Sequence, residues 1–328
     1  MSRYGITLPL PFVPLPRHRD ILGELADLGY TDAWTGEYAG VDAFTPLVLA
    51  AAWGSPSLRL GTAVVPVYTR GPAVIAQTGA ALAELAPGRV VLGIGSSGAQ
   101  LVTGMNGIAM DEPYRRVRDT LRFLRHAYEH GRVAGRFDTF TIEDFELGRP
   151  AQIPPQLMVG ALRTGMLRLG FREGAGAITN FLTAEDISTV IRGLGADRDR
   201  GELVARVFVC PTEDLDYARE SGRRMLTHLF TRPTYGAFHE WLGRGDQVEQ
   251  VRKHVAAGDL RRAGEAISDD VVDGVLVHGS PERCREQIHR YVEAGVDTPV
   301  LMIQSTPELF AGGPEAVLKV VRDLAPQR

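Results

Sequence analysis

The feature that most constrains this chain is an alternation of short β-branched runs with longer helical stretches, plainest in residues 58–97. The segment reads LRLGTAVVPVYTRGP, then an alanine-rich stretch, then GRVVLGIGSS. The run at 60–65 breaks at Pro66, Pro72 launches a helix, and Gly88-Arg89 punctuates the return into a second apolar run at 90–94. That is one strand-helix-strand unit, and the chemistry of such a unit is expected where each strand stops.

The same rhythm runs through the chain. It predicts strands at 4–8, 31–35, 60–65, 90–94, 156–160, 177–181, 204–209 and 299–304. Helices are expected at about 17–28, 43–53, 73–85, 112–128 and 163–172, then one that Thr183 or Asp186 is placed to cap, then 282–294 and about 314–324. Residues 131–155 alternate in short pieces and read as a β-hairpin insertion, and a mostly helical excursion fills about 214–267. Eight strands, the first seven each followed by helix, predict an α/β fold: one (β/α)8 TIM barrel domain over 1–328, with insertions. A doubly wound sheet is the alternative.

Composition excludes more than it assigns. A formal net charge of -4 creates no global field that draws in nucleic acid or an anionic membrane. The two lysines are Lys253 and Lys319, so a phosphate clamp here uses arginine, hydroxyls and backbone N–H groups. Cys210 and Cys284 give neither a disulfide framework nor a metal-ligand spacing, which suits a reducing compartment. The N-terminal apolar run is broken by prolines without a cleavage pattern, and no apolar run reaches the roughly 18 to 20 residues of a membrane span. The expectation is a cytoplasmic protein acting on a small molecule, without nucleic-acid or membrane partners.

In a barrel, catalytic and cofactor groups gather at the carboxyl ends of the strands. This nominates Glu37-Tyr38, residues 63–70, Ser96 to Gly98, Gly160 to Gly165, Asn180 and Gln304 as one cluster. GIGSSG (93–98) formally satisfies GxGxxG, but no second strand ending in an acidic residue follows at the nicotinamide-site spacing. It reads either as a strand end made small for close approach of a flat ring or a phosphate, or as small residues packed at the barrel rim. Gly160-Ala161-Leu162-Arg163-Thr164-Gly165 joins a strand to a helix whose first N–H groups, with the Thr164 hydroxyl and Arg163, suit a phosphate; an ordinary helix start reads the same way. Glu37 beside Tyr38 offers a carboxylate and a phenol for proton transfer, or two surface residues. The histidines at 126, 130, 228, 239, 254, 278 and 289 show no metal-like pairing, and no GxSxG elbow is present.

The pieces LGYTDAWTGEY, LRLGTAVVPVYTRGPAVIAQTGAALAELAPGRVVLGIGSS, PPQLMVGALRTGMLRLGFREGAGAITNFLTAED and GSPERCREQIHRYVEAGVDTPVL resemble the luciferase-like monooxygenase superfamily, most closely its coenzyme F420 branch. They cover most of 4–190 and 275–305. The resemblance implies a (β/α)8 barrel, a homodimer, and a flavin-type ring in the barrel mouth, either F420 or FMN. It implies a bulge with a non-prolyl cis peptide at Ala63-Val64 behind the ring, and a phosphate loop at Ala161, Leu162, Thr164 and Gly165. The cofactor-binding set it suggests is Ala63, Val64, Val65, Ser96, Ser97, Gly160, Ala161, Leu162, Arg163, Thr164, Gly165 and Asn180, with no metal ligand. Glu37 falls where the family has an acidic ring-contacting residue.

Two departures bear on chemistry. Tyr38 stands where sugar-phosphate dehydrogenases of this branch place a proton-donating histidine, and Gly98 where they place a carboxylate. Alcohol oxidation is therefore not the expected reaction. The resemblance instead implies an F420-dependent oxidoreductase passing a hydride between the deazaflavin C5 and an organic substrate, with Tyr38 or Glu37 handling the proton. The alternatives are a monooxygenase fed reduced FMN and a non-catalytic flavin- or F420-binding protein. The excursion, with Phe230, Tyr235, Phe238 and Trp241, is expected to cover the mouth and carry specificity.

Overall fold

Twelve strands organise the computed structural model, which describes residues 3–326: β1 (Gly5–Thr7), β2 (Asp32–Thr35), β3 (Arg59–Thr62), β4 (Val65–Pro66), β5 (Val90–Gly95), β6 (Arg132–Arg136), β7 (Thr141–Glu146), β8 (Gln156–Gly160), β9 (Gly176–Asn180), β10 (Glu202–Cys210), β11 (Leu276–His278) and β12 (Thr298–Ile303). Eight of them, β1-β2-β3-β5-β8-β9-β10-β12, pair in parallel, and β12 closes back on β1 through Gly5 opposite Val300. Closure excludes the doubly wound sheet and makes this an eight-stranded parallel α/β barrel with extra strands. The extras are the antiparallel β6–β7 hairpin, β4, which continues β3 beyond a bulge and pairs with β5, and β11.

The interior is filled in layers, because alternate residues of each strand point inward. At the amino-terminal end Arg59 bridges Asp32 and Glu202, meeting the Glu202 oxygens at 2.6 and 2.7 Å, with Thr298 alongside. Above them Trp34, Val91, Met158, Ile178, Val204 and Val300 form an apolar plug. Trp34 needs room: a Cβ on Gly61 would stand 2.3 Å from its indole. The opposite end of the barrel, where the strands' carboxyl ends lie, is the mouth.

Three sequence expectations are corrected. The helix expected at 17–28 is a 3-10 turn, Leu15–His18, and one α turn, Arg19–Leu22, ending at Gly23. Ile21, Leu22 and Leu25 are still buried, so burial outlasts the helix. Residues 276–278, expected only to lead into a helix, form β11, which pairs with the upper half of β10 (Phe208 opposite Leu276) while β9 pairs with the lower half (Glu202 opposite Gly176). The last helix starts earlier, at Pro307, and is kinked at Gly313 (φ 60°) before Pro314. Thr183 and Asp186 cap reciprocally: each backbone N–H donates to the other's side chain, at 2.7 and 3.3 Å.

Between β10 and β11 run five helices, Leu215–Phe230, Pro233–Trp241, Gly245–Ala256, Leu260–Glu265 and Asp269–Val275. They share a core of their own that includes Leu226, Phe230, Val248, Val251 and Val272. Arg244 ties them to the barrel, placing one nitrogen 2.8 Å from each Asp186 oxygen.

Candidate active site

The mouth is built on the bulge between β3 and β4. The Ala63–Val64 peptide there is cis, as the resemblance implies. Ala63 N–H donates to Thr35 O at 2.6 Å, and Val64 O accepts from Glu37 N–H at 3.3 Å, so the bulge is stitched to the end of β2. Val64 lies over two glycines: a Cβ on Gly95 would come within 2.7 Å of it, and one on Gly160 within 2.8 Å. The small residues ending β5 and β8 therefore make room for the Val64 side chain, which becomes a half-buried apolar platform at the centre of the mouth.

Around this platform the expected residues divide. Ser96, Ser97, Gly160 and Asn180 are half-buried at the ends of β5, β8 and β9, and Ser97 takes a positive φ of 58°. Val65 and Ala161 are buried in the outer core, and Leu162 packs against it, so their side chains serve the scaffold. Ala161 also fixes the loop by donating to Ile178 O at 2.8 Å. Gly160–Ala161 leads into the helix Thr164–Glu173, which begins after an extended Arg163 with no side-chain cap. Its first turn, with Thr164 half-buried and Gly165 exposed, leaves N–H donors at the positive end of the helix dipole.

Glu37 and Tyr38 have different surroundings. Glu37 is clamped by Arg70, whose Nε lies 3.1 and 2.9 Å from the two carboxylate oxygens and whose Nη2 lies 2.8 Å away, and Ala43 N–H adds a bond at 3.3 Å. Its lone pairs are committed to holding the loop after β2. Tyr38 is 56 % exposed, and its hydroxyl donates to Gln100 Oε1 at 2.9 Å. Of the two, Tyr38 is the group free to meet a substrate.

Sequence reasoning missed several neighbours. Arg206, on β10, reaches across the mouth and donates through Nη2 to Ala63 O at 2.7 Å and Thr35 O at 3.4 Å. Gly36 makes space for it, since a Cβ there would stand 3.1 Å from Nη2. Its Nε is buried without an acceptor, and desolvation lowers the guanidinium to about 10. A signal was present: in ELVARVFVC the inward positions are 202, 204, 206 and 208, so beyond Glu202, which pairs with Arg59 at the closed end, a second charge, Arg206, sits on the inner face between Val204 and Phe208. Arg232, from the five-helix segment, donates to Gln100 Oε1 and to His228 Nε2. Burial, then the Arg232 charge, lowers the His228 pKa, so His228 is a neutral acceptor at pH 7. Tyr235 is hydrogen-bonded with Asn180 and lies in the fields of Arg206, Arg232 and Tyr38; burial raises its pKa.

The arrangement offers an apolar seat for a flat ring, an uncapped helix end for an anionic tail, a phenol at the rim and two guanidinium groups. Among the described residues no group of three His, Cys, Asp or Glu is placed to hold a metal ion, and no helix is long and apolar enough to cross a membrane.

The family model described as luciferase-like monooxygenase matches residues 4–298. A putative coenzyme F420-dependent oxidoreductase of Mycobacterium tuberculosis is 25% identical over 329 residues, covering 90% of this chain and 93% of that one. Among solved structures, the coenzyme F420 dependent tetrahydromethanopterin reductase from Methanopyrus kandleri superposes with a TM-score of 0.75 at 20% identity, covering 98% and 97% of the two chains. The oxygenating constituent of a 3,6-diketocamphane monooxygenase from Pseudomonas putida, in complex with FMN, superposes at 0.63 with 16% identity, covering 99% and 97%. The match along nearly the whole chain, on a closed barrel with its bulge after the third strand, shows that this protein belongs to the luciferase-like monooxygenase family.

Proposed function

We propose that this luciferase-like oxidoreductase uses coenzyme F420 to transfer a hydride to or from a small organic substrate in the barrel mouth. The observation that carries this reading is the joint placement of the Val64 platform, which lies against Gly160, and the uncapped Thr164–Glu173 helix, which starts four residues after Gly160. A flat ring on the first leaves an anionic tail within the reach of the second. The curated relative from M. tuberculosis, named for F420, supports the deazaflavin over FMN.

When bound, F420 supplies two-electron hydride chemistry at a carbon that reacts little with oxygen. The chain's own work is positional. Ala63 and Val64 back the ring, Ser96, Ser97 and Asn180 border it, and Arg163 with the Thr164 and Gly165 N–H groups holds the phosphate. Glu37 keeps the loop after β2 in place through Arg70, and Tyr38 delivers or receives the proton. Reduction of a C=C, C=N or C=O bond follows better than alcohol oxidation from a site with Tyr38 and Gly98 in these places. Under this reading the protein works as a homodimer in the cytoplasm, and light scattering of the purified protein gives the assembly directly.

Parallel titration of the apoprotein with F420 and FMN, followed by fluorescence, tests the proposal. F420 is expected to bind at nanomolar to micromolar concentrations and, once reduced, to be consumed with an activated double bond in air as fast as without it. Tight binding of FMN alone, with oxygen uptake, would assign the monooxygenase reaction instead. F420 binding without turnover across a varied panel would make this a carrier.

A further inference from the structure

Arg206 and Arg232 both face the mouth with only neutral acceptors. Arg206 donates to the carbonyls of Ala63 and Thr35, and Arg232 donates to Gln100 and a neutral His228. Neither has an ion-pair partner among the described residues, and the mouth carboxylate Glu37 is spent on Arg70. Tyr235 stands in the field of both and, being a phenol with a raised pKa, does not neutralise them. Beside Arg206 the wall is aromatic: Phe181 and Phe208 stack with centroids 4.1 Å apart, and Tyr235 meets Phe181 edge-on at 5.3 Å.

A tie between β2 and β3 alone does not require a charge. Removing a guanidinium from water without a counterion is strongly unfavourable, and the enclosed Arg206 Nε has no acceptor in the protein. An anion arriving with the ligand supplies the missing counter-charge. The cofactor's tail is assigned above to the Thr164 end of the mouth, and the aromatic wall beside Arg206 suits the body of a substrate.

We propose that the substrate is a flat unsaturated carboxylate, its anionic head bound by Arg206 and Arg232 on either side of Tyr235 and its body against the Phe181–Phe208 wall. This rests on the F420 reading for the position of the ring, but the recognition of the head does not depend on it. It also gives a charge reason for the five-helix segment to reach the barrel: Arg232 and Tyr235 come from that segment and Arg206 from the barrel.

The test is calorimetric titration of the F420-loaded protein with trans-cinnamate, sorbate and crotonate, each against its methyl ester. The acids are expected to bind at least tenfold more tightly than the esters. Arg232→Met should lower acid affinity at least tenfold and erase the preference while holding F420 affinity within about twofold; Arg206→Met, which also unties Ala63, should lower acid affinity at least tenfold, and Arg206→Lys, keeping the charge, should retain part of it. Equal binding of acid and ester, or no binding of any acid, overturns the proposal. So does a loss of F420 affinity in the variants with the acid preference intact, because the arginines then serve the cofactor. If F420 itself does not bind, the same titrations on the apoprotein decide the matter: a surviving acid preference upholds this inference while the cofactor reading fails.

Discussion

At the rim of the mouth, Tyr38 presents a mostly exposed phenol held by a single hydrogen bond to Gln100, whereas the adjacent Glu37 is locked against Arg70. The two neighbours therefore fail differently when changed. Tyr38→Phe is expected to keep cofactor affinity within about twofold and to lower kcat by roughly 10²- to 10⁴-fold, the usual worth of a positioned proton donor, in steady-state assays with reduced F420. Glu37→Gln removes the charge that Arg70 grips and should cost on the order of 1–3 kcal/mol in denaturant unfolding. Residue identity was legible for Tyr38 because it follows a strand end. Arg206 was equally legible by parity along β10, but its direction across the barrel depends on Gly36 lying opposite, which only closure of the sheet reveals.

Among the elements, the bulge after β3 and the helix after β8 do the binding work proposed here, and both can be tested without touching a polar side chain of the site. Gly160→Ala sets a methyl 2.8 Å from Val64 Cγ1. Overpacking of this kind costs about 1–3 kcal/mol, and by displacing the platform it should weaken F420 binding more than tenfold, measured by fluorescence titration. Gly165→Asp separates stability from binding. The position is open, with Tyr114 at 3.9 Å, and a carboxylate in the first turn of the helix favours the apoprotein by a few tenths to about 1 kcal/mol while repelling a phosphate. The apoprotein melting temperature should hold or rise as F420 affinity falls at least tenfold. Most barrel strands and their order of succession could be read from hydrophobic runs and breaks, and so could the hairpin. β11 could not, because three residues following a helix carry too little period to register. The helix expected at 17–28 shows the converse, an apolar spacing kept by turns rather than by a helix.

For the molecule as a whole, the barrel's two ends divide the labour. One is closed by the Arg59–Asp32–Glu202–Thr298 network and serves stability; the other carries Arg206 and Arg232, which have no ion-pair partner among the described residues. Asp32 is fully buried and keeps only the half-exposed Arg3 at 3.4 Å and the Thr31 hydroxyl once Arg59 is gone, so Arg59→Met leaves its charge poorly compensated and should destabilise the fold by on the order of 3 kcal/mol. Burial alone would raise the Glu202 pKa, but its hydrogen bond to Arg59 and the Arg59 charge bring it below the ordinary 4.5. A carboxylate depressed in the folded state adds stability above the unfolded pKa and loses it as pH falls through the folded one. The melting-temperature gap between wild type and Glu202→Gln should therefore be widest near neutrality and close progressively below about pH 4.5.

The central claim, a ring on the bulge after the third strand with its anionic tail on the helix after the β8 strand, is tested most directly by a crystal structure with F420 bound. The account predicts the deazaflavin in van der Waals contact with Val64 and its phosphate within hydrogen-bonding distance of the Thr164 and Gly165 N–H groups. A ring seated elsewhere, or a phosphate held away from that helix, contradicts it.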